Sequence, residues 1–220
     1  MAQQARKFEK ALLQMIHWGY WLYLPPDYNP ARRYPLILFL HGIGERGSDL
    51  SLVTKQGLPK RIEEGLDLPF IVVSPQCPAN EMWWSFQHTL IALLNEVIPL
   101  YGADSRRVYL TGLSMGGFGV WGLAARYPDR FAALAPICGG LPPGLDADYA
   151  ARQLKTTPVW AFHGALDEAV PLATGQTAVD ALRAVGGNVQ FTVYPDLGHD
   201  SWTTTYENQE LYEWFLAHSL

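Results

Sequence analysis

Five apolar runs decide what this chain can fold into. "LILFL", "FIVV", "RVYL", "FAALAPI" and "PVWAF" are close to continuous in aliphatic and aromatic residues. A strand with one face in water alternates apolar with polar residues. These runs do not, so they read as strands buried on both faces. The covering layers come from the segments between them. "FQHTLIALLNEVIPLYG" places Leu90, Leu93, Leu94, Val97 and Ile98 at helical spacing and stops at Gly102. "MGGFGVWGLAARYP", "LATGQTAVDALRAVGG" and "YENQELYEWFLAHSL" read as helices, and "SLVTKQGLPKRIEEG" as a poorer one. "VQFTVYPD" adds a further strand. This order predicts an α/β fold: a mostly parallel sheet of about eight strands, helices on both faces and right-handed crossovers. Near the start, two extended runs joined around Gln14 to His17 and ended by Pro25 and Pro26 predict an antiparallel pair. At 220 residues, 1–220 is most economically one domain.

Composition removes several classes of function. The net charge is −5 with both signs scattered, so the basic patch that nucleic acid needs is missing. No apolar run approaches the roughly 20 residues of a membrane-spanning helix. "MAQQARKFEK" is basic but has no apolar stretch behind it, so it does not read as a signal peptide. That leaves a cytoplasmic protein, or a secreted one whose signal was removed. The two cysteines, Cys77 and Cys138, form no CxxC pair, which excludes a zinc ribbon. They read as buried free thiols, with a disulfide as the lesser alternative.

Gly112-Leu113-Ser114-Met115-Gly116 sits between a strand and a helix and fits G-x-S-x-G. Glycine is costly at a helix start, so a sharp turn that projects the serine is the reason for it. Such a turn makes Ser114 a candidate nucleophile. It also aims the Met115 N–H at the same space as an oxyanion donor. Serine needs a base, and this motif predicts an acid and then a histidine after later strands. "ALDEAVP" supplies Asp167, with Glu168 as its rival, and "DLGHDSW" supplies His199. His163, at the end of its strand, reads as structural support. "HGIGERG" after the first buried strand supplies a second donor, the N–H of Ile43, with Gly44 next in line. His41, Glu45 and Arg46 would brace that loop.

These segments, with "GLSMGGFGVWGLAARYPDRFAALAPICGG" and "GHDSW…YEWF", resemble small α/β-hydrolase serine esterases. The likeness is to the predicted-peptidase and feruloyl-esterase-like group, near the phospholipase/carboxylesterase and dienelactone hydrolase families, and runs from about Tyr34 to the end. The resemblance implies Ser114, Asp167 and His199 as the triad and Ile43 and Met115 as oxyanion donors. It implies no metal and no cofactor. Dienelactone hydrolases of the usual kind carry a cysteine nucleophile, whereas this chain has Ser114.

Leu141 to Lys155 leaves space for a short helix and no large cap, so an open cleft is expected. Trp83 and Trp84 in "PQCPANEMWWSF", and Trp202 just past His199, are candidate substrate-binding residues. The expected activity is hydrolysis of short-chain or aromatic, feruloyl-like carboxylic esters, on small molecules or linked to a polysaccharide. A peptidase or thioesterase on the same triad, or a catalytically silent binding module of this fold, are the alternatives.

Overall fold

The computed structural model describes Met15 and residues 17–220. In chain order the elements are β1 (Tyr20–Tyr23), β2 (Tyr34–Leu40), α1 (Gly57–Glu63), β3 (Ile71–Pro75), α2 (Gln87–Leu100), β4 (Ala103–Leu113), α3 (Met115–Arg126), β5 (Ala133–Ile137), α4 (Ala147–Gln153), β6 (Val159–Gly164), α5 (Leu172–Ala184), β7 (Val189–Tyr194), α6 (Trp202–Glu207) and α7 (Gln209–Leu216). Among the described residues the strands form one seven-stranded sheet in the order β1-β3-β2-β4-β5-β6-β7. Every pairing is parallel except β1 with β3.

The continuous apolar runs are the centre of this sheet. All seven residues of β2 are buried. Leu36, Leu38 and Leu40 face a cluster that includes Leu94 and Val97 of α2, Val120 of α3 and Val179 of α5. Ile37 and Phe39 face the other cluster, with Leu58 of α1 and Phe215 of α7. Burying each such side chain contributes about 1.5–3 kcal/mol, so helices are held on both faces.

Of the antiparallel pair expected near the N-terminus, only the second run is among the described residues. The second run is β1, but it pairs with β3, Tyr20 opposite Pro75 and Tyr23 opposite Val72. The first run lies outside the described residues. The predicted poor helix is two pieces, a 3-10 segment (Leu50–Lys55) and α1. Between β5 and β6 the only helix is the seven-residue α4, so among the described residues no large cap is inserted there.

The chain crosses from β2 outward to β3 and then back past β2 to β4. The strand order therefore reverses between β2 and β4, and the loops leaving those two strands part to opposite sides. In sheets of this kind such a crevice is where ligands bind. Leu40 and Gly112 are register partners at its floor, so the "HGIGERG" loop and Ser114 face each other across it.

Candidate active site

Ser114 is the only residue between β4 and α3 and has φ 54° and ψ −118°. A non-glycine residue is strained there, at about 1–3 kcal/mol, and the surroundings hold it. Its N–H donates to the Ile137 carbonyl at 3.0 Å and lies 3.2 Å from the Cys138 sulfur. A Cβ at Gly112 would stand 2.7 Å from the carbonyl oxygens of Gly116 and Leu40. One at Gly116 would overlap the Leu40 carbonyl. Both obstacles are backbone and cannot swing away, so the two glycines are a steric condition of the turn.

Asp167 and His199 arrive on the loops after β6 and β7. Asp167 is buried. Its Oδ1 accepts the N–H groups of Ala169 (3.0 Å) and Val170 (2.8 Å). Its Oδ2 is 2.8 Å from His199 Nδ1, and His199 Nε2 is 3.0 Å from Ser114 Oγ. A carboxylate can only accept, so the proton sits on Nδ1 and Nε2 is left to receive the serine hydroxyl. Glu168 is exposed. Trp202 stands edge-on to the His199 ring, 5.3 Å away at 90°, and its indole N–H reaches Gln56 Oε1 at 3.3 Å.

Across the crevice, Ile43 opens a 3-10 helix (Ile43–Glu45) as Met115 opens α3. N–H groups in a first helical turn have no carbonyl one turn back. Gly42, Ile43, Leu113, Ser114, His199 and Trp202 line a hollow of about 160 Å³.

His41 anchors this loop from below. Its Nδ1–H donates to the Gly42 carbonyl at 2.6 Å, its Nε2 accepts the Cys77 N–H at 2.9 Å, and its carbonyl accepts the Trp83 indole N–H at 2.9 Å. Burial lowers its pKa from 6.5 to about 4, with the Gly42 bond opposing and Arg46 adding to the shift. The ring is therefore held neutral. Burial raises the nearby Glu45 carboxyl, whose Oε2 is 3.9 Å from His41 Nδ1.

The unfolded chain takes up a proton on His41 below pH 6.5 that the folded chain refuses down to about pH 4. Its contribution to stability is complete above pH 6.5 and drains as pH falls, at up to about 1.4 kcal/mol per unit. Between pH 7 and 5 we expect a loss of about 2 kcal/mol from this group. Glu45 works in the opposite sense, so urea unfolding of His41→Asn at both pH values isolates the histidine. An equal loss in wild type and variant would show that His41 is not responsible.

The tryptophans need one correction. Trp83 is not a cleft wall. It is 1% exposed and packs edge-on against His41 and Trp18, because the buried His41 carbonyl needs its N–H. Trp84 packs near Phe118 and lines a separate hollow with Arg126 and Pro142. Of the three, Trp202 lines the cleft. Cys77 and Cys138 are both free and buried. Burial pushes the Cys77 thiol up to about 12 and the Cys138 thiol up as well. Sequence reasoning missed Gln56 and the seat of Cys138 under Ser114. The second was open to it, since Leu113 and Ile137 are register partners on adjacent strands.

Residues 18–215 match the family described as "Putative esterase". A solved thermostable esterase is 35% identical, with a TM-score of 0.78 over 91% of this chain and 59% of its own. A probable inactive carboxylesterase from Oryza sativa subsp. japonica is 33% identical over 80% of this chain and 82% of its own length. Feruloyl esterase B from Neurospora crassa is 30% identical over 59% of this chain and 49% of its own length. The chain spans 34% of dipeptidyl-peptidase 5 from Porphyromonas gingivalis, 23% identical over 87% of this chain. It is thus shorter than several of these relatives. The chain belongs to this esterase family, a family of carboxylic ester hydrolases, and its fold is that of the α/β-hydrolases.

Proposed function

We propose that this chain is a serine carboxylesterase that works through an acyl-enzyme on Ser114. The observation that carries the reading is the unbroken line of hydrogen bonds from Asp167 Oδ2 through His199 to Ser114 Oγ. Ser114 Oγ attacks the ester carbonyl carbon while His199 Nε2 takes its proton. The carbonyl oxygen becomes an anion in front of the Ile43 and Met115 N–H groups, each worth roughly 3 kcal/mol to the transition state. The tetrahedral adduct collapses, the C–O bond to the alcohol breaks, and His199 returns the proton to the leaving oxygen. Water then attacks the acyl-enzyme by the same route. Asp167 orients His199 and stabilises its cation. The steps call on side chains and backbone alone.

The presence of all three groups in contact favours catalysis over a silent module, the reading that the rice relative raises. Labelling of Ser114 by a fluorophosphonate, read by mass spectrometry, tests this; an unlabelled serine in folded protein would overturn it. The resemblance to a feruloyl esterase and the Trp202 ring at the cleft support short-chain or aromatic acyl groups, carried by small molecules or a polysaccharide.

A hollow of about 160 Å³ is below the roughly 300–1,000 Å³ of sites that enclose drug-sized ligands. A buried CH₂ contributes about 0.8 kcal/mol, and one left in water almost nothing. Acetyl to butyryl esters are therefore expected to exceed decanoyl and longer ones in kcat/KM. The measurement is a p-nitrophenyl ester series from acetate to palmitate below the aggregation limits. A steady rise past octanoate would contradict the short-acyl reading.

A further inference from the structure

We propose that His163 is a positioning residue for the Asp167–His199 pair, an inference that rests on the reading of Ser114, Asp167 and His199 as the catalytic groups. His163 is the next-to-last residue of β6 and fully buried. Its Nε2 lies 2.8 Å from the Val170 carbonyl and 3.3 Å from Asp167 Oδ2. Both neighbours are acceptors, so Nε2 carries a proton. That proton is donated to the Val170 carbonyl, and the ring edge that carries it lies against the carboxylate oxygen that receives His199 Nδ1–H.

The carboxylate is thereby held at both ends. Oδ1 is fixed by the N–H groups of Ala169 and Val170. Without His163, Oδ2 would have His199 as its one side-chain neighbour among the described residues, and that ring is on a partly exposed loop. With it, the side of Oδ2 not used by His199 is occupied, and Val170 is tied to the same ring through its carbonyl. The plane of the carboxylate, and hence the direction in which His199 Nε2 points, is set from inside the protein.

The local structure accepts two unfavourable features to keep an imidazole here. Nδ1 is buried with no hydrogen-bond partner among the described residues, a state that folded proteins avoid. Gly175, in the first turn of α5, faces it, and a Cβ there would stand 2.6 Å from Nδ1. Glycine is a poor helix former. A leucine at position 163 would leave no orphan nitrogen, and the retained group is the one that supplies the Nε2 proton.

His163→Leu removes the donor and keeps an apolar filling; His163→Gln keeps an N–H at similar reach. With p-nitrophenyl acetate, His163→Leu should lower kcat about 10- to 100-fold with KM within about twofold, the scale of lost supporting hydrogen bonds and small misplacements. His163→Gln should recover most of the loss. In proton NMR without substrate, the low-field His199 Nδ1–H resonance should shift or broaden in the leucine variant and return in the glutamine one. That resonance responds to the geometry of the pair, so it decides the matter even in a chain that hydrolyses no ester. A folded His163→Leu with kcat within twofold of wild type and an unmoved resonance overturns the proposal. So does a folded His163→Gln as impaired as the leucine variant. Loss of labelling at Ser114 in wild type would instead overturn the serine-esterase reading.

Discussion

Ser114→Ala is expected to lower kcat for p-nitrophenyl acetate by about 10⁴- to 10⁶-fold, the range seen when a triad member is removed. Stability should be kept or slightly gained. The strained φ of 54° belongs to the backbone, and alanine adopts it no more easily than serine. The Ser114 N–H bonds to Ile137 and Cys138 do not involve the side chain. The variant should therefore melt near wild type while losing its labelling by fluorophosphonate. Retention of more than a tenth of wild-type kcat in purified variant would remove Ser114 from the mechanism.

The second large effect is expected at the proposed acid. Asp167→Asn should reduce kcat by about 10⁴-fold, whereas Glu168→Gln should leave it within about twofold, in line with an exposed substitution. An amide at Oδ2 offers a donor where His199 Nδ1–H now donates at 2.8 Å. It pushes the ring to the tautomer whose Nε2 carries the proton, and that ring cannot accept from Ser114. Parallel kinetics of the two variants decide the assignment, and a more damaging Glu168→Gln would identify the wrong carboxylate here.

The residues that meet in the site were legible because their positions answer to backbone geometry. The elbow tolerates no Cβ at positions 112 and 116, so its glycines announce it. Asp167 follows one of the continuous apolar runs, and His199 follows the further strand "VQFTVY". The tandem Trp83-Trp84 could not be sorted in this way. It stands in an irregular segment without periodicity, and what draws Trp83 inward is the lone carbonyl of His41, 42 residues away in sequence. The pairing of β1 with β3 is equally non-local, since an edge strand's partner depends on which side of the sheet is free. His163 was visible as support, but its contact with Asp167 depends on how the loop after β6 folds back to bring Val170 and Asp167 to one nitrogen.

The order of the strands divides the proposed catalytic apparatus into a stiff half and a soft half. Ser114 and the Ile43 loop leave two adjacent strands at the middle of the sheet, β2 buried throughout and β4 buried from Val108 to Leu113. His199 leaves β7, the outermost strand, none of whose residues is fully buried. Edge strands open at lower free energy than central ones. As conditions become harsher, the proposed general base departs while the proposed nucleophile and oxyanion donors are still in place. Inactivation would then precede the collapse of the core, and cooling would restore the site by re-docking one strand rather than by refolding the chain.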